Sequence, residues 1–178
     1  MQKKIPLIYL TRAACIAAIY FILTVLLEPL SYGPIQLRFS EALTLLPIIF
    51  PEAIAGLTIG CALANIFSWF GIVDIVLGSL TTLIAAILTY MLRRKPLLAA
   101  LPPILLNAAI VPIVIILSGD TTAYYLLAGS ILISQAIIIY ALGLPLTQTL
   151  KRTLFLNKKT YENDKKDSDF EKFDDKSN

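Results

Sequence analysis

The chain has 178 residues, 57% of them hydrophobic, no histidine, and a formal charge of +3. A water-soluble domain of this length has no use for so much apolar surface, and charged residues make up only 15%, below the usual quarter. The composition is that of a membrane protein up to about residue 150, and the small, scattered positive charge gives no reason to expect a nucleic-acid partner.

The first apolar run, Ile5 to Leu27, is broken only by Arg12. At about 1.5 Å per residue it is long enough to cross a hydrocarbon core of about 30 Å. Lys3 and Lys4 before it suggest a signal peptide, but the run is long for one and lacks a clear cleavage site, so an uncleaved first membrane helix is expected. Within it, Ala13 with Ala17 and Ala14 with Ala18 make two small-xxx-small pairs, suited to close packing against another helix inside the bundle or on a partner.

The stretch Pro29 to Glu52 gathers Gln36, Arg38, Ser40 and Glu41 within six residues, and prolines at 29, 34, 47 and 51 forbid one continuous helix. It reads as an outward-facing loop followed by a short helix over Ala42 to Phe50, too short to span at helical rise, with Ser40 as its N-cap and Glu41 as a first-turn acid. A helix from about Pro51 to Phe70 follows, with Gly56, Gly60 and Ala64 as a second small-residue seam and Asn65 as its amide.

A turn at Gly71 leads through Asp74 to a helix from Ile75 to about Leu92, closed by Arg93, Arg94 and Lys95. Leu97 to Leu117 is another span, carrying Asn107 and interrupted by Pro102, Pro103 and Pro112. After the turn SGDTT, a last run from Ala123 to about Thr149 contains Ser130, Ser134 and Gln135. From Asn157 the chain is polar and charged, and is expected to be a disordered tail.

The fold expected is therefore an all-α membrane protein of six transmembrane helices, the second one short, in a domain over 1–156 with a tail over 157–178. With both termini cytoplasmic, only Arg38 of the fifteen basic residues lies outside, a strong positive-inside asymmetry. Cys15 and Cys61 sit in apolar runs without metal-ligand spacing and read as packing residues.

No nucleotide-binding loop, HExxH or Ser/His/Asp set is present, so catalysis and ATP hydrolysis by this chain are not expected, and no cofactor is implied. Ionisable groups are scarce inside the spans, which argues against a self-contained ion-coupled carrier of a small polar metabolite and leaves it as the alternative. A structural subunit that binds no small molecule is a further possibility. The polarity that exists clusters toward the outer face, as capture of an external ligand requires.

Candidate ligand groups are Glu41, Arg38, Gln36, Asp74 and the amides Asn65, Asn107 and Gln135, with Trp69, Phe70, Tyr124 and Tyr125 as possible stacking surfaces. Each also has a plainer role. Glu41 suits a helix start and Asp74 a cap; Arg38 suits the interface or an ion pair with Glu41. The amides suit interhelical bonding, and the aromatics an interfacial belt.

The double alanine motif of the first helix, GPIQLRFSEALTLLP, FPEAIAGLTIGCALANIFS, GIVDIVLGSLTTLIAA and QAIIIYALGLPL together resemble the QueT family over about residues 5 to 155. That family comprises substrate-binding S-components of energy-coupling factor (ECF) vitamin transporters of Gram-positive bacteria, multi-pass proteins of the cell membrane. The resemblance implies a transport subunit that works with an EcfT transmembrane subunit and two ABC ATPase subunits, carrying a queuosine precursor, a deazaguanine base, inward. It assigns Ala13, Ala14, Ala17 and Ala18 to contact with the coupling subunit. The substrate's adjacent N–H and NH₂ groups suit bidentate acceptance by Glu41, its carbonyl an amide donor, its ring Trp69 or another aromatic, and a cationic arm Asp74.

Overall fold

A run of some twenty apolar residues in lipid has no water to satisfy its peptide groups, so it must satisfy them within itself as a helix. The computed structural model describes residues 6–27, 38–68 and 70–156, and every regular element among them is helical. In chain order these are α1 (Leu7–Leu26), a 3-10 helix η1 (Phe39–Ile48), α2 (Ala53–Asn65), α3 (Gly71–Met91), α4 (Pro96–Leu117) and α5 (Tyr124–Leu156). The helices α1, α3, α4 and α5 are long and apolar enough to cross a membrane; η1 and α2 are shorter apolar helices. This is the all-α membrane architecture expected, with its short second element. The tail expected over 157–178 lies outside the described residues.

The helices α1 and α2 lie side by side and point the same way. Arg12 pairs with Glu52 at their N-terminal ends, with Nη1 3.2 Å from Oε1, and the Arg12 guanidinium lies over the Phe50 ring. Phe21 and Phe67 meet edge to face at the opposite ends, 5.7 Å between centroids. Between them Gly56 and Gly60 press on the Ala13 and Ala17 carbonyls, so closely that a Cβ on either glycine would lie 2.6–2.7 Å from a carbonyl oxygen. The small residues of both seams thus meet each other, at least along one edge of α1.

Two parallel neighbours require the chain between them to return across the bundle, and η1 makes that return. As an α-helix its ten residues would cover about 15 Å; wound as 3-10, at about 2.0 Å per residue, they cover about 20 Å. Even so wound, about 20 Å falls short of a hydrocarbon core of about 30 Å, as the sequence reading expected. Ser40 through Pro47 are all buried, which makes η1 the centre of the bundle. Leu43 and Leu46 pack with Ile16, Tyr20, Leu57 and Ala86, while Leu45 packs with Ala100, Ile104, Ile139 and Leu144.

Three boundaries differ from the sequence reading. The helix expected to reach Phe70 stops at Asn65, and the next starts at Gly71 rather than Ile75. Side chains turn the chain early: Asn65 Nδ2 donates to the Asp74 carbonyl (2.8 Å), the Phe70 N–H donates to Ser68 Oγ (3.2 Å), and Gly71 takes φ +65°. In α4 a single turn, Pro96–Ala99, is offset at Ala100 from Leu101–Leu117. Pro103 has no N–H for the Ala99 carbonyl four residues back, and Thr89 Oγ1 of α3 donates to that carbonyl instead (3.0 Å). The last helix runs past Thr149 to Leu156, through a π turn at Ile139–Gly143.

The seam makes a stability prediction. Gly60→Leu places side-chain atoms where Ala17 and Tyr20 already stand and should lower unfolding stability in detergent by about 1–3 kcal/mol, read as an earlier thermal transition. Gly129→Ala, where a Cβ meets nothing within 4 Å, should leave the transition unchanged or raise it slightly.

Candidate functional site

The polar groups of the bundle begin where η1 begins. Arg38 stands at its N-cap position without a side-chain cap bond, and the Arg38 carbonyl takes the Glu41 N–H (3.0 Å). Ser40, expected as the cap, is instead inside the helix, and its buried Oγ has no hydrogen-bond partner. The tighter winding moves the cap two residues back. Glu41 falls in the first turn, as expected, and its side chain points into the bundle with 2% exposure.

Both Glu41 oxygens are occupied. Tyr20 Oη of α1 donates to Oε1 (2.9 Å), and Asn107 Nδ2 of α4 donates to Oε2 (3.1 Å). Thr44 Oγ1 caps the Glu41 carbonyl at 2.6 Å, which fixes the backbone that carries the carboxylate. Three elements therefore converge on one acid. The partners are neutral donors, and among the described residues the ion pair is elsewhere, between Arg12 and Glu52.

A second polar group joins α2 to α3. Besides its bond to the Asp74 carbonyl, Asn65 Nδ2 approaches Cys61 Sγ at 3.6 Å, and Thr82 Oγ1 donates to the same sulfur at 3.2 Å. Ser68 Oγ donates to Asp74 Oδ2 at 2.6 Å. Gly78 permits this arrangement: a Cβ there would lie 2.5 Å from Asn65 Nδ2 and 2.9 Å from Asp74 Oδ1. Tyr20 and Cys61 share one buried cluster, so the two groups are continuous from Asn107 through Glu41, Tyr20 and Cys61 to Asn65 and Asp74. Arg38 lies at the same end of the bundle as Asn65 and Ser68. A hollow of about 10 Å³ lies between Thr24, Arg38, Asn65, Phe67 and Ser68 at this end of the bundle.

Of the residues picked out from sequence, Glu41 and Asn107 bond directly, and Asn65, Asp74 and Arg38 adjoin them. Gln135 is buried on α5 with Ser134 and Ile138, and its Oε1 has no hydrogen-bond partner. Gln36 and Trp69 lie outside the described residues. Asp74 makes no cap bond; α3 begins three residues before it. Among the other aromatics, Phe70 packs on the Ala108–Val111 cluster, Tyr124 Oη donates to the Ala109 carbonyl (3.0 Å), and Tyr125 is 73% exposed. Asp120 is fully exposed, and its bonds from the Thr122 side chain and N–H hold its carboxyl below the ordinary range.

Ala13 and Ala17 turn toward α2, whereas Ala14 and Ala18 are exposed. All four border an apolar groove of about 430 Å³ that runs along α1 and α2 past Leu10, Phe21 and Leu63. The residues that sequence reading missed are Tyr20, Cys61, Ser68 and Thr82. Tyr20 carried a usable signal, since a tyrosine deep in an apolar span needs a partner for its hydroxyl.

The sequence matches the family described as QueT transporter over residues 10–152, most of the chain. The chain belongs to that family. It is thus a membrane transport protein, and its apolar helices give it a multi-pass architecture. The Queuosine precursor transporter QueT of Lactococcus lactis subsp. cremoris (strain MG1363) is 40% identical over 85 residues, which cover 47% of this chain and 50% of that relative. The match therefore spans about half the length of the curated relative. No solved structure matches the chain.

Removing the phenol tests the centre of this buried polar group. Tyr20→Phe leaves Glu41 Oε1 short of a buried donor and should cost about 1–3 kcal/mol in unfolding stability. Combined with Glu41→Gln, the loss should fall clearly short of the sum of the two single losses, as expected of directly bonded side chains.

Proposed function

We propose that this chain is the substrate-binding subunit of an energy-coupling factor importer, and that it captures a queuosine precursor, a deazaguanine base, through Glu41. The observation that carries this reading is the chemical state of the Glu41 surroundings. A carboxylate inside a membrane bundle is costly to keep, and here it is bonded by neutral donors only. A structural acid would gain more from a bonded cation. A recognition acid needs oxygens whose present partners can be exchanged for those of a ligand.

The heterocycle's N–H and NH₂ edge would replace one or both of those partners on Glu41 in bidentate fashion. Asn107, released from the carboxylate, or Asn65 would then donate to the adjacent carbonyl. Asp74, held by Ser68, suits a cationic arm. Gln36, Gln135 and Trp69 complete the proposed set as further amides and a stacking surface. A ring lacking the donor edge would leave these groups unpaired at about 1–3 kcal/mol each, which is the basis of selectivity. The printed name of the Lactococcus relative supports the choice of substrate.

Energy would come from an EcfT subunit and two ABC ATPase subunits in the cell membrane. The outward faces of Ala14 and Ala18, with the groove beside them, are the surface we assign to the EcfT contact, and Ala13 and Ala17 support it from the α2 side.

Calorimetry on the purified chain should detect a deazaguanine precursor without ATP or added ions, and Glu41→Gln should weaken binding about tenfold to a hundredfold. Absence of heat with every queuosine precursor would overturn the substrate, and unchanged binding by the variant would overturn the site. Ala14→Trp or Ala18→Trp should abolish uptake in cells while leaving that binding intact. Uptake by liposomes containing this chain alone under a sodium or proton gradient would contradict the borrowed-energy reading.

A further inference from the structure

Three buried side-chain oxygens lack a hydrogen-bond partner among the described residues: Ser40 Oγ, Ser79 Oγ and Gln135 Oε1. The two hydroxyls can rotate to donate or to accept, whereas an amide oxygen only accepts. Gln135 is 3% exposed, so water does not reach that oxygen. Its neighbour Ser134 is satisfied within α5, by donating to the Ile131 carbonyl (3.1 Å). An amide that served only to join helices would have its oxygen bonded, because a bare one is costly to bury.

Packing on either side fixes the level of Gln135. One turn before it, Ile131 packs with Ala108 and Val111 of α4; one turn after it, Ile139 packs with Ile104 of α4 and Leu45 of η1. On α4, Asn107 lies between those same contacts, three residues after Ile104 and four before Val111. Residues three or four apart share a helix face, so the two buried amides fall in the gap between the two apolar clusters. There Asn107 bonds Glu41 (3.1 Å), and α5 packs against α4 and η1, the elements that supply that bond. Gln135 therefore borders the Glu41–Asn107 bond and brings an unused acceptor to it.

We infer that Gln135 Oε1 accepts the N–H of the five-membered ring of the base, and that this bond makes the site specific for the free base over its N-glycoside. The inference rests on the deazaguanine reading above. Glu41 engages the N–H and NH₂ of the six-membered ring, which leaves that N–H as the remaining donor of the fused ring system. An acceptor already stripped of water gains a full hydrogen bond from it. A glycoside has carbon in place of the hydrogen, so it returns Oε1 to its unpaired state and presses a sugar on it. Gln135 is then an acceptor for the substrate and a specificity determinant, not a donor to the ring carbonyl.

Calorimetry on the full chain tests this by comparing a deazaguanine base with its furo analogue, in which a ring oxygen replaces that N–H at nearly equal size. The parent should bind the base about tenfold to a hundredfold more tightly than the analogue. Gln135→Leu should bring the two within about threefold of each other, by weakening the base and leaving the analogue unchanged. Leucine also removes an unpaired buried amide at similar volume, so the ligand-free variant should melt at or above the parent. A structural amide with its bonds made would give the opposite shift. Unchanged discrimination by the variant, a lower melting transition without ligand, or a riboside bound as tightly as the base would overturn the role of Gln135. Each of those results leaves Glu41-dependent binding of the base in place. Failure of the parent to bind any base would instead remove the proposed function, and this inference with it.

Discussion

A carboxylate cannot be left bare in a hydrocarbon-thick bundle, and the rest of this structure is arranged around that constraint. Ionised, Glu41 requires donors that the lipid does not supply, and a missing donor costs about 1–3 kcal/mol. Tyr20 and Asn107 provide them from α1 and α4, elements far apart in sequence that meet only because η1 lies between them. The position of η1 depends in turn on the parallel pair α1 and α2, whose glycine and alanine seam lets the backbones nearly touch. The closeness of α1 and α2 requires the return segment, and the 3-10 winding lets ten residues make it. The acid, its donors and the helix seam are one mechanical unit.

The two ends of the bundle divide the work. One end carries Arg38, Asp74, Ser68 and a hollow of about 10 Å³. The other carries the Arg12–Glu52 pair, with Glu52 buried, and the exposed Arg93–Lys95 turn. Along the side, Ala14 and Ala18 leave a smooth strip beside an open groove, suited to another membrane helix.

Much of this was legible in the sequence because the bilayer imposes simple rules. Apolar runs of span length gave the long helices, and Pro51 marked the break between η1 and α2, while Pro47 is accommodated inside η1. Glu41, Asn65, Asp74 and Asn107 stood out because polar groups are rare where lipid surrounds them. What stayed hidden depends on winding and on distant pairing. The 3-10 form of η1 is set by the span it must cover, so Ser40 could not be placed correctly from cap preferences alone. The ends of α2 and α3 are set by Asn65 reaching nine residues ahead to the Asp74 carbonyl. The depth of Tyr20 in its apolar run required a hydroxyl partner, but which one stayed hidden, because Glu41 lies 21 residues on and only the fold brings the two together. The alanine motif was half resolved: its spacing identified a packing face, but its rotation about α1 decides that Ala13 and Ala17 serve the fold while Ala14 and Ala18 face outward.

The most direct test is a structure of this protein with a deazaguanine precursor bound. The account predicts the heterocycle's donor edge against the Glu41 carboxylate, with at least one of the bonds from Tyr20 and Asn107 given up to make room. A ligand seated elsewhere, with both of those bonds still in place, would contradict it.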